Sequence, residues 1–188
     1  MITWAIVPMK SFARAKSRLS GVLGPAEREA LARDGFERAL DAVEGLVDGV
    51  LVLTDGQDVV EASRGHRVLC DLPGAGLGAL VNRGLEHLDA ERALVLMADL
   101  PDIVAEDVRA LLQHRHAVAP DRHNLGTNAL VLPLPGSACF GHDDSFLRHL
   151  RRAPVVVRRP GLALDLDLPD DLRLDAPPGS RPSRPRSA

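Results

Sequence analysis

The stretch "TWAIVPMKSFARAKSRL", Thr3 to Leu19, decides the fold because it joins a largely apolar run to a cluster of cations. The apolar run, Thr3–Met9, predicts a strand buried on both faces, as in a parallel sheet. In such sheets ligands bind beyond the carboxyl ends of the strands, so the basic loop that follows is a candidate anion site. By charge alone, a solvated basic surface is an equally good interpretation. Within nine residues the loop carries no acid and four cations: Lys10, Arg14, Lys16 and Arg18.

The rest of the chain alternates short apolar runs with helical patterns. The runs Gly49–Asp55 and Arg92–Pro101 resemble the first one, and each contains an Asp near its end. Strands that alternate with helices of ten or more residues predict a mainly parallel sheet with crossover connections. Further strands are predicted at 66–72, 116–122, 127–134 and 154–159, and helices at 25–46, 58–65, 77–90, 105–116, 145–152 and 167–174.

Length and composition limit the classes of function. A chain of 188 residues with 45% hydrophobic residues predicts a single domain over residues 1–174, followed by a disordered Pro/Ser/Arg tail over 175–188. The net charge of -3 gives no overall preference for nucleic acid or an anionic membrane, so neither is expected as a partner. Cys70 and Cys139 are not spaced like a metal or redox pair, and no signal-peptide or membrane-spanning pattern is present. We therefore expect a reduced, cytoplasmic protein.

Aspartates near the ends of apolar runs are candidate metal ligands. Asp99 lies near the end of the most apolar run, "RALVLMADLP". In "GLALDLDLPDDL", Asp165 and Asp167 alternate with leucines, so we expect both on the same side of an extended strand. Two adjacent carboxylates repel each other unless a cation lies between them, and Mg²⁺ prefers such oxygen ligands. The alternatives are an Asp that caps a turn and the polar, solvent-facing side of an edge strand.

Three further motifs are candidate contacts for small anionic ligands. In "APDRHNLGTNALVL", Thr127 offers a neutral hydrogen-bonding group, although a plain hairpin turn explains the motif as well. In "CFGHDDSFLRHL", residues Gly141 to Ser145 fit either an anion-binding turn at a helix N-terminus or a turn with Ser145 as a simple N-cap. The glycines of "PGAGLGAL" do not have the spacing of a dinucleotide-binding fingerprint.

Taken in order, these motifs resemble one family. "VPMKSFARAKSRL", "VLVLTD", "LMADLP", "APDRHNLGTNALVL", "FGHDDSFLRHL" and "GLALDLDLPDDL" resemble the guanylyltransferases of coenzyme F-420 biosynthesis, which act on phosphoenolpyruvate or 2-phospho-L-lactate. The resemblance covers residues 2–174, and the basic loop and "DRHNLGTNAL" are its most specific parts. It implies a three-layer α/β/α sandwich with a mainly parallel sheet, Rossmann-like and of the nucleotide-diphospho-sugar transferase type.

The resemblance also implies a reaction and a role for each candidate residue. The reaction transfers GMP from GTP to phosphoenolpyruvate, giving enolpyruvyl-diphospho-guanosine and pyrophosphate, with 2-phospho-L-lactate or 3-phospho-D-glycerate as alternative acids. The chain departs from the family at Gly78, where Asn is expected. The implied Mg²⁺ ligands are Asp99, Asp165 and Asp167; the implied acid contacts are Thr127, Gly141 and Ser145; and the implied catalytic and nucleotide contacts are Lys10, Arg14, Lys16 and Arg18, with Gly76 added for the nucleotide.

Partners and competing functions complete the expectations. The resemblance implies the small-molecule substrates and a downstream deazaflavin-side transferase of the same pathway as partners, and it leaves room for a homodimer. A molybdopterin nucleotidyltransferase is an alternative, but such proteins usually carry a glycine-rich first loop that this chain lacks. A non-enzymatic module that binds a phosphorylated ligand or nucleic acid through the basic loop is another. Acids at the strand ends argue against it, because they would repel a polyanion in the absence of a metal ion.

Overall fold

The computed structural model describes residues 1–70, 76–152 and 155–172, and these residues share one seven-stranded sheet with the strand order β3-β2-β1-β4-β6-β5-β7. The predicted tail lies outside the described residues, so the domain boundary at residue 174 stays a prediction. The strands are Thr3–Pro8 (β1), Gly49–Thr54 (β2), Arg67–Cys70 (β3), Arg92–Leu96 (β4), Ala117–Pro120 (β5), Thr127–Pro133 (β6) and Val155–Val156 (β7). The helices are Pro25–Val43 (α1), Gln57–Ala62 (α2), Leu77–Glu86 (α3), Ala105–Leu112 (α4), Ser145–Leu150 (α5) and Pro160–Ala163 (α6).

The direction of the strands places two loops side by side. β1 pairs in parallel with β2 on one side and with β4 on the other, and β6 is antiparallel to both of its neighbours. The chain moves outward from β1 to β2 and β3, then returns to place β4 on the opposite side of β1. The loops that follow β1 and β4 therefore flank the point where the strand order reverses, which is the usual ligand site of an open α/β sheet.

Alternate side chains of the central strands enter two separate apolar cores. Ala5 and Val7 of β1 join the core covered by α1, α2 and α4, whereas Ile6 joins the core covered by α3 and α5. This alternation is what burial of a sheet on both faces requires. It confirms the predicted α/β/α sandwich with a mainly parallel sheet. No helix in the described ranges combines the length and the apolar character needed to cross a bilayer.

The basic loop folds onto α1 through its few apolar residues. It forms two short 3-10 turns, Phe12–Arg14 and Ser17–Leu19. The side chains of Phe12 and Leu19 are fully buried, and the Phe12 ring packs edge-on against Phe36 of α1 with 5.7 Å between ring centroids. The cations are thus displayed from a packed base, which a purely solvated surface loop would not provide.

The prediction that Asp165 and Asp167 lie on a strand is wrong. Pro160 begins the helical turn α6, and residues 164–167 then continue without regular secondary structure. The backbone N–H of Leu166 donates to the carbonyl of Asp99 at 3.1 Å, so the segment still runs beside the end of β4. Gly161 presses against the backbone of Asp102, where an added Cβ would lie 2.5 Å from the carbonyl oxygen. Tight packing at this turn, and not strand pairing, therefore sets the position of the segment.

The other element boundaries differ from the predictions in small ways. α1 ends at Val43, earlier than predicted, and Gly45 has a positive φ of 69° that a continuing helix excludes. β7 is limited to Val155–Val156 within the described residues. Asp171 and Leu172 are helical, and the remainder of the last predicted helix, Arg173 and Leu174, lies outside the described residues.

Substitution of Gly35 tests the packing of α1 against the end of β4. A Cβ at this position would lie 2.5 Å from the backbone oxygen of Ala98, which cannot swing aside as a side chain can. Ala in place of Gly stabilises a helix by about 1 kcal/mol, but overpacking costs about 1–3 kcal/mol. We expect Gly35→Ala to lower the free energy of unfolding by roughly 1–2 kcal/mol in urea titrations. The control Gly21→Ala, where an added Cβ meets no atom within 4 Å, should leave stability unchanged. A Gly35→Ala variant as stable as the wild type would contradict this packing.

Candidate active site

A cleft of about 820 Å³ opens between the loops that follow β1 and β4. Its volume lies in the upper part of the range for small-molecule sites. Pro8, Met9, Leu77, Leu80 and Met97 give it an apolar wall. Eight of the residues singled out from the sequence line it: Lys10, Arg14, Lys16, Arg18, Gly76, Asp99, Gly141 and Asp167.

Lys16 is the cation placed deepest in the cleft. Its Nζ lies 3.2 Å from Oδ2 of Asp99 and 3.6 Å from Oδ1 of Asp167, and its side chain is only 6% exposed. A buried ammonium is costly unless it is paired, and here two carboxylates pair with it. Lys16 has a left-handed backbone with φ 54°, which is uncommon for a residue other than glycine and sits between the two 3-10 turns. The loop therefore holds this one cation inward, between two acids.

The arginines of the basic loop are paired at the surface of the cleft. Arg14 contacts Asp55 at 2.8 Å, and Arg18 contacts Asp167 at 3.1 Å. Both guanidinium side chains are more than half exposed, so these pairs contribute little to stability. Because arginine binds phosphate oxygens in the same bidentate way as carboxylates, the side chains can exchange these partners for an anionic ligand at small cost.

Two acids fix the backbone of the basic loop, and sequence reasoning assigned neither of them this role. Oδ1 of Asp55 accepts the backbone N–H of Ser11 at 2.9 Å. Oδ2 of Asp58 accepts the backbone N–H of Phe12 at 2.7 Å and the Ser11 hydroxyl at 3.1 Å. Both acids follow β2, the strand beside β1. The sequence pattern that could have predicted these contacts is the parallel order of the two strands, because it places the acidic loop after β2 beside the basic loop after β1.

The three aspartates of the predicted metal site lie near one another. Burial, together with the neighbouring carboxylates of Asp99, Asp167 and Asp121, raises the pKa of Asp165 to about 6. Oδ1 of Asp99 is buried and has no hydrogen-bond partner. Both observations are typical of a carboxylate cluster with more negative charge than the Lys16 ammonium neutralises. Across the described ranges, however, no three or more His, Cys, Asp or Glu side chains are gathered closely enough to hold a metal ion, and the Lys16 ammonium fills the space between Asp99 and Asp167.

Asp171 holds the acidic segment in place, a role that the sequence did not reveal. Its Oδ2 accepts the backbone N–H groups of Asp167 at 2.9 Å and Leu168 at 2.6 Å. Its Oδ1 lies 2.5 Å from the Arg122 guanidinium, which belongs to the loop between β5 and β6. The Asp171 side chain is only 5% exposed. A buried ion pair therefore ties the segment that carries Asp167 to the loop that leads to Thr127.

The structure places only one of the three predicted acid contacts, Gly141, on the lining of the cleft. Gly141 has a positive φ of 80°, which favours glycine. Thr127 and Ser145 are buried behind it, with 3.4 Å between their hydroxyl oxygens. The alternative of Ser145 as an N-cap is wrong, because Asp144 holds the N-cap position and Ser145 is the first residue of α5.

Close packing explains the absence of a side chain at Gly78, near the start of α3. A Cβ on Gly78 would lie 2.4 Å from the carbonyl oxygen of Phe140, so the helix start and the 140–141 loop touch through their backbones. This contact explains why the chain carries Gly78 where the family resemblance leads one to expect Asn. Gly76, at the N-cap position of α3, lines the cleft.

The fold is of the nucleotide-diphospho-sugar transferase type. A crystal structure named as a nucleotide-diphospho-sugar transferase, from Desulfovibrio desulfuricans G20, superposes with a TM-score of 0.71 at 18% identity, covering 100% of this chain and 92% of that one. At this identity the likeness concerns the fold alone. Residues 3–163 match the family model described as "Guanylyl transferase CofC like", and the chain belongs to this family.

Individual relatives cover most of the chain. The phosphoenolpyruvate guanylyltransferases of Sphaerobacter thermophilus and Rubrobacter xylanophilus are 36% and 39% identical to it. The first match covers 92% of this chain and 91% of the relative, and the second covers 100% of both. The 2-phospho-L-lactate guanylyltransferase of Methanothermobacter thermautotrophicus is 35% identical, over 81% of this chain and 72% of that protein. These matches confirm the resemblance inferred from the motifs.

Replacement of Asp165 by Asn tests the crowding of the three carboxylates. The pKa of Asp165 is raised from 3.8 to about 6 in the folded chain, so its ionised form lowers stability above about pH 6 and has no such effect below about pH 4. The Asn side chain stays neutral. In EDTA we expect Asp165→Asn to unfold at a higher temperature than the wild type at about pH 8, with the difference shrinking toward about pH 5. Thermal melts followed by circular dichroism measure the unfolding temperatures of the two proteins at each pH.

The matched control is Asp89→Asn, which removes the same charge from an exposed side chain away from the cleft. It should give no pH-dependent gain. If the wild type were as stable as Asp165→Asn at about pH 8, the raised pKa would be contradicted.

Proposed function

We propose that this protein transfers the guanylyl group of GTP to phosphoenolpyruvate in coenzyme F-420 biosynthesis, giving enolpyruvyl-diphospho-guanosine and pyrophosphate. The observation that carries the proposal is the single cleft in which the cations after β1 face the acids after β4 and α6. The family match and the names of the two relatives that cover nearly the whole chain supply the nucleotide and the acid.

The basic loop is proposed to hold the triphosphate. Arg14 and Arg18, both largely exposed, donate hydrogen bonds to phosphate oxygens, and Lys10 lines the same wall. A phosphate oxygen of phosphoenolpyruvate attacks the α-phosphorus of GTP. The bond from that phosphorus to the oxygen bridging it to the β-phosphorus then breaks, and pyrophosphate leaves with the electron pair. The cations stabilise the charge that builds up on the leaving group. No general base is required, since the attacking phosphate is already ionised at neutral pH.

The acid is proposed to bind on the side of the cleft that Gly141 lines, next to the buried Thr127 and Ser145. The hydroxyls of Thr127 and Ser145, together with the backbone around Gly141, offer neutral donors that suit a phosphate or carboxylate. Gly76, at the start of α3, lies on the same lining and is proposed to contact the nucleotide. The two anionic reactants would thus enter from separate walls and meet beside Asp99. Such positioning is the main catalytic contribution expected of the protein.

Asp99, Asp165 and Asp167 are proposed to hold Mg²⁺. The three side chains are not gathered closely enough to hold a metal ion while the Lys16 ammonium lies between Asp99 and Asp167, so the proposal requires them to draw together around the ion. The buried, unpartnered Oδ1 of Asp99 and the crowded carboxylate of Asp165 support it, because both suit a hard cation. Bound Mg²⁺ would neutralise charge between the two reactants. With the carboxylates so engaged, Lys16 can release one of its two acid partners and donate to a phosphate oxygen instead.

A second acid is favoured by one observation. The relative named for 2-phospho-L-lactate is 35% identical, close to the identity of the relatives named for phosphoenolpyruvate. The two acids differ by two hydrogens, a difference that pockets separate by only about 1–3 kcal/mol.

The proposed reaction also implies partners. The downstream partner is the deazaflavin-side transferase that consumes enolpyruvyl-diphospho-guanosine, and a homodimer is compatible with the proposal.

An assay of pyrophosphate release tests the proposed function. The protein is incubated with Mg²⁺, GTP and, in separate reactions, phosphoenolpyruvate, 2-phospho-L-lactate and 3-phospho-D-glycerate. We expect the highest kcat/KM with phosphoenolpyruvate, and little release when CTP or ATP replaces GTP. Pyrophosphate release that occurs only when CTP and molybdopterin are supplied would support the molybdopterin alternative instead. Binding of nucleotide without turnover of any acid would contradict the enzyme function.

Asp99→Asn tests the metal role directly. Loss of the charge should lower kcat by about 100-fold or more, because Mg²⁺, which would neutralise charge in the transition state, would be held less well. Thermal stabilisation by Mg²⁺ with GTP should disappear as well, a readout that does not depend on turnover. The control Asp102→Asn makes the same change three residues away, at an exposed side chain that does not line the cleft. Wild-type turnover and Mg²⁺ stabilisation in Asp99→Asn would show that Asp99 holds no metal.

A further inference from the structure

His149 on α5 links the structural parts of the proposed acid site. The ring is 2% exposed and packs on Phe140, with 4.9 Å between ring centroids. Its Nδ1 lies 2.9 Å from Oγ1 of Thr127, and its Nε2 lies 2.7 Å from the backbone nitrogen of Cys139. One side chain therefore contacts the start of β6 and the loop that leads to Gly141, from the same helix that carries Ser145.

The two contacts determine which ring nitrogen carries the proton. The backbone N–H of Cys139 can only donate, so Nε2 must accept and carries no hydrogen. Burial, together with the nearby Arg152 and His116, lowers the pKa of His149 to about 4, so the ring is neutral at physiological pH. A neutral ring with a bare Nε2 has its hydrogen on Nδ1. His149 therefore donates to the hydroxyl oxygen of Thr127.

This assignment fixes the role of the Thr127 hydroxyl. Its oxygen accepts from His149, which leaves its hydrogen to be donated elsewhere. The neighbouring Ser145 hydroxyl donates to the same Thr127 oxygen over a long 3.4 Å, so it does not take the Thr127 hydrogen. A phosphate or carboxylate oxygen is a stronger acceptor than either hydroxyl, so an acid bound here would receive this hydrogen bond.

We propose that His149 is a positioning residue that orients the Thr127 hydroxyl as a donor toward the anionic group of the acid substrate and holds the loop before Gly141 in place. This inference rests on the proposed function, because it takes Thr127 and Gly141 as acid contacts. It adds a residue that acts on the acid and not on GTP, since His149 contacts none of the basic-loop residues among its described partners.

The test compares the KM values of the two substrates. His149→Leu replaces the ring with an apolar side chain of similar bulk and removes both ring hydrogen bonds. We expect it to raise the KM for phosphoenolpyruvate by about 10-fold or more and to leave the KM for GTP within about 2-fold of the wild type. His149→Asn, whose amide can still donate to Thr127, should recover part of the loss. If His149→Leu does not fold, the KM values of His149→Asn are compared with those of the wild type instead.

A matched control separates positioning from general loss of stability. Val108→Ala truncates a fully buried side chain on α4, in the core on the opposite face of the sheet. It should lower the melting temperature without changing the ratio of the two KM values. If His149→Leu and His149→Asn also lower the melting temperature but leave that ratio unchanged, the proposal is overturned and the proposed function stands.

Thr127→Val distinguishes failure of this proposal from failure of the acid-site assignment. It removes the hydroxyl and keeps the shape of the side chain. We expect it to raise the KM for phosphoenolpyruvate, and we expect the Thr127→Val/His149→Leu double variant to raise it by less than the combined single effects, because both changes remove the Thr127 interaction and only the His149–Cys139 contact is lost in addition. An unchanged KM in Thr127→Val would overturn both the acid site and the role of His149. Fully additive effects would overturn the role of His149 alone.

Discussion

The ammonium of Lys16 contacts the carboxylates of Asp99 and Asp167, and these two contacts join three parts of the chain that are distant in sequence. The basic loop, the end of β4 and the segment after α6 each bring charge that would be costly to bury alone. Together they balance, so the cleft can exist without a ligand. The same balance suits the proposed chemistry, because a triphosphate can take over the cations while a divalent ion takes over the carboxylates.

The groups proposed to bind the two anions differ in charge. Exposed arginines and the inward-facing Lys16 are proposed to bind the triphosphate, which carries a large negative charge. Neutral donors, positioned by the buried His149, are proposed to bind the small acid. Neutral donors discriminate by geometry more than by charge, which is what a site needs when its candidate substrates differ by two hydrogens.

The sequence predicted the sheet and both charged loops well, because burial on both faces leaves continuous apolar runs and parallel strands put their following loops at one edge. It failed at Asp165 and Asp167, where alternation with leucine suggested a strand. Pro160 and the contact of Gly161 with the backbone of Asp102 produce a helical turn and an irregular segment instead. It also missed Asp58, Asp171 and His149. Their roles depend on contacts with residues 10 to 49 positions away or on close backbone turns, and no local pattern encodes such contacts.

The claim that the acids and cations of one cleft transfer a guanylyl group is tested most directly by the fate of phosphorus in GTP. The protein is incubated with Mg²⁺ and phosphoenolpyruvate, together with GTP labelled either at the α-phosphorus or at the γ-phosphorus. The proposed mechanism predicts α-label in a product that also contains the enolpyruvyl group, and γ-label only in pyrophosphate. Transfer of γ-label to the acid, or α-label that stays in GDP, would contradict it.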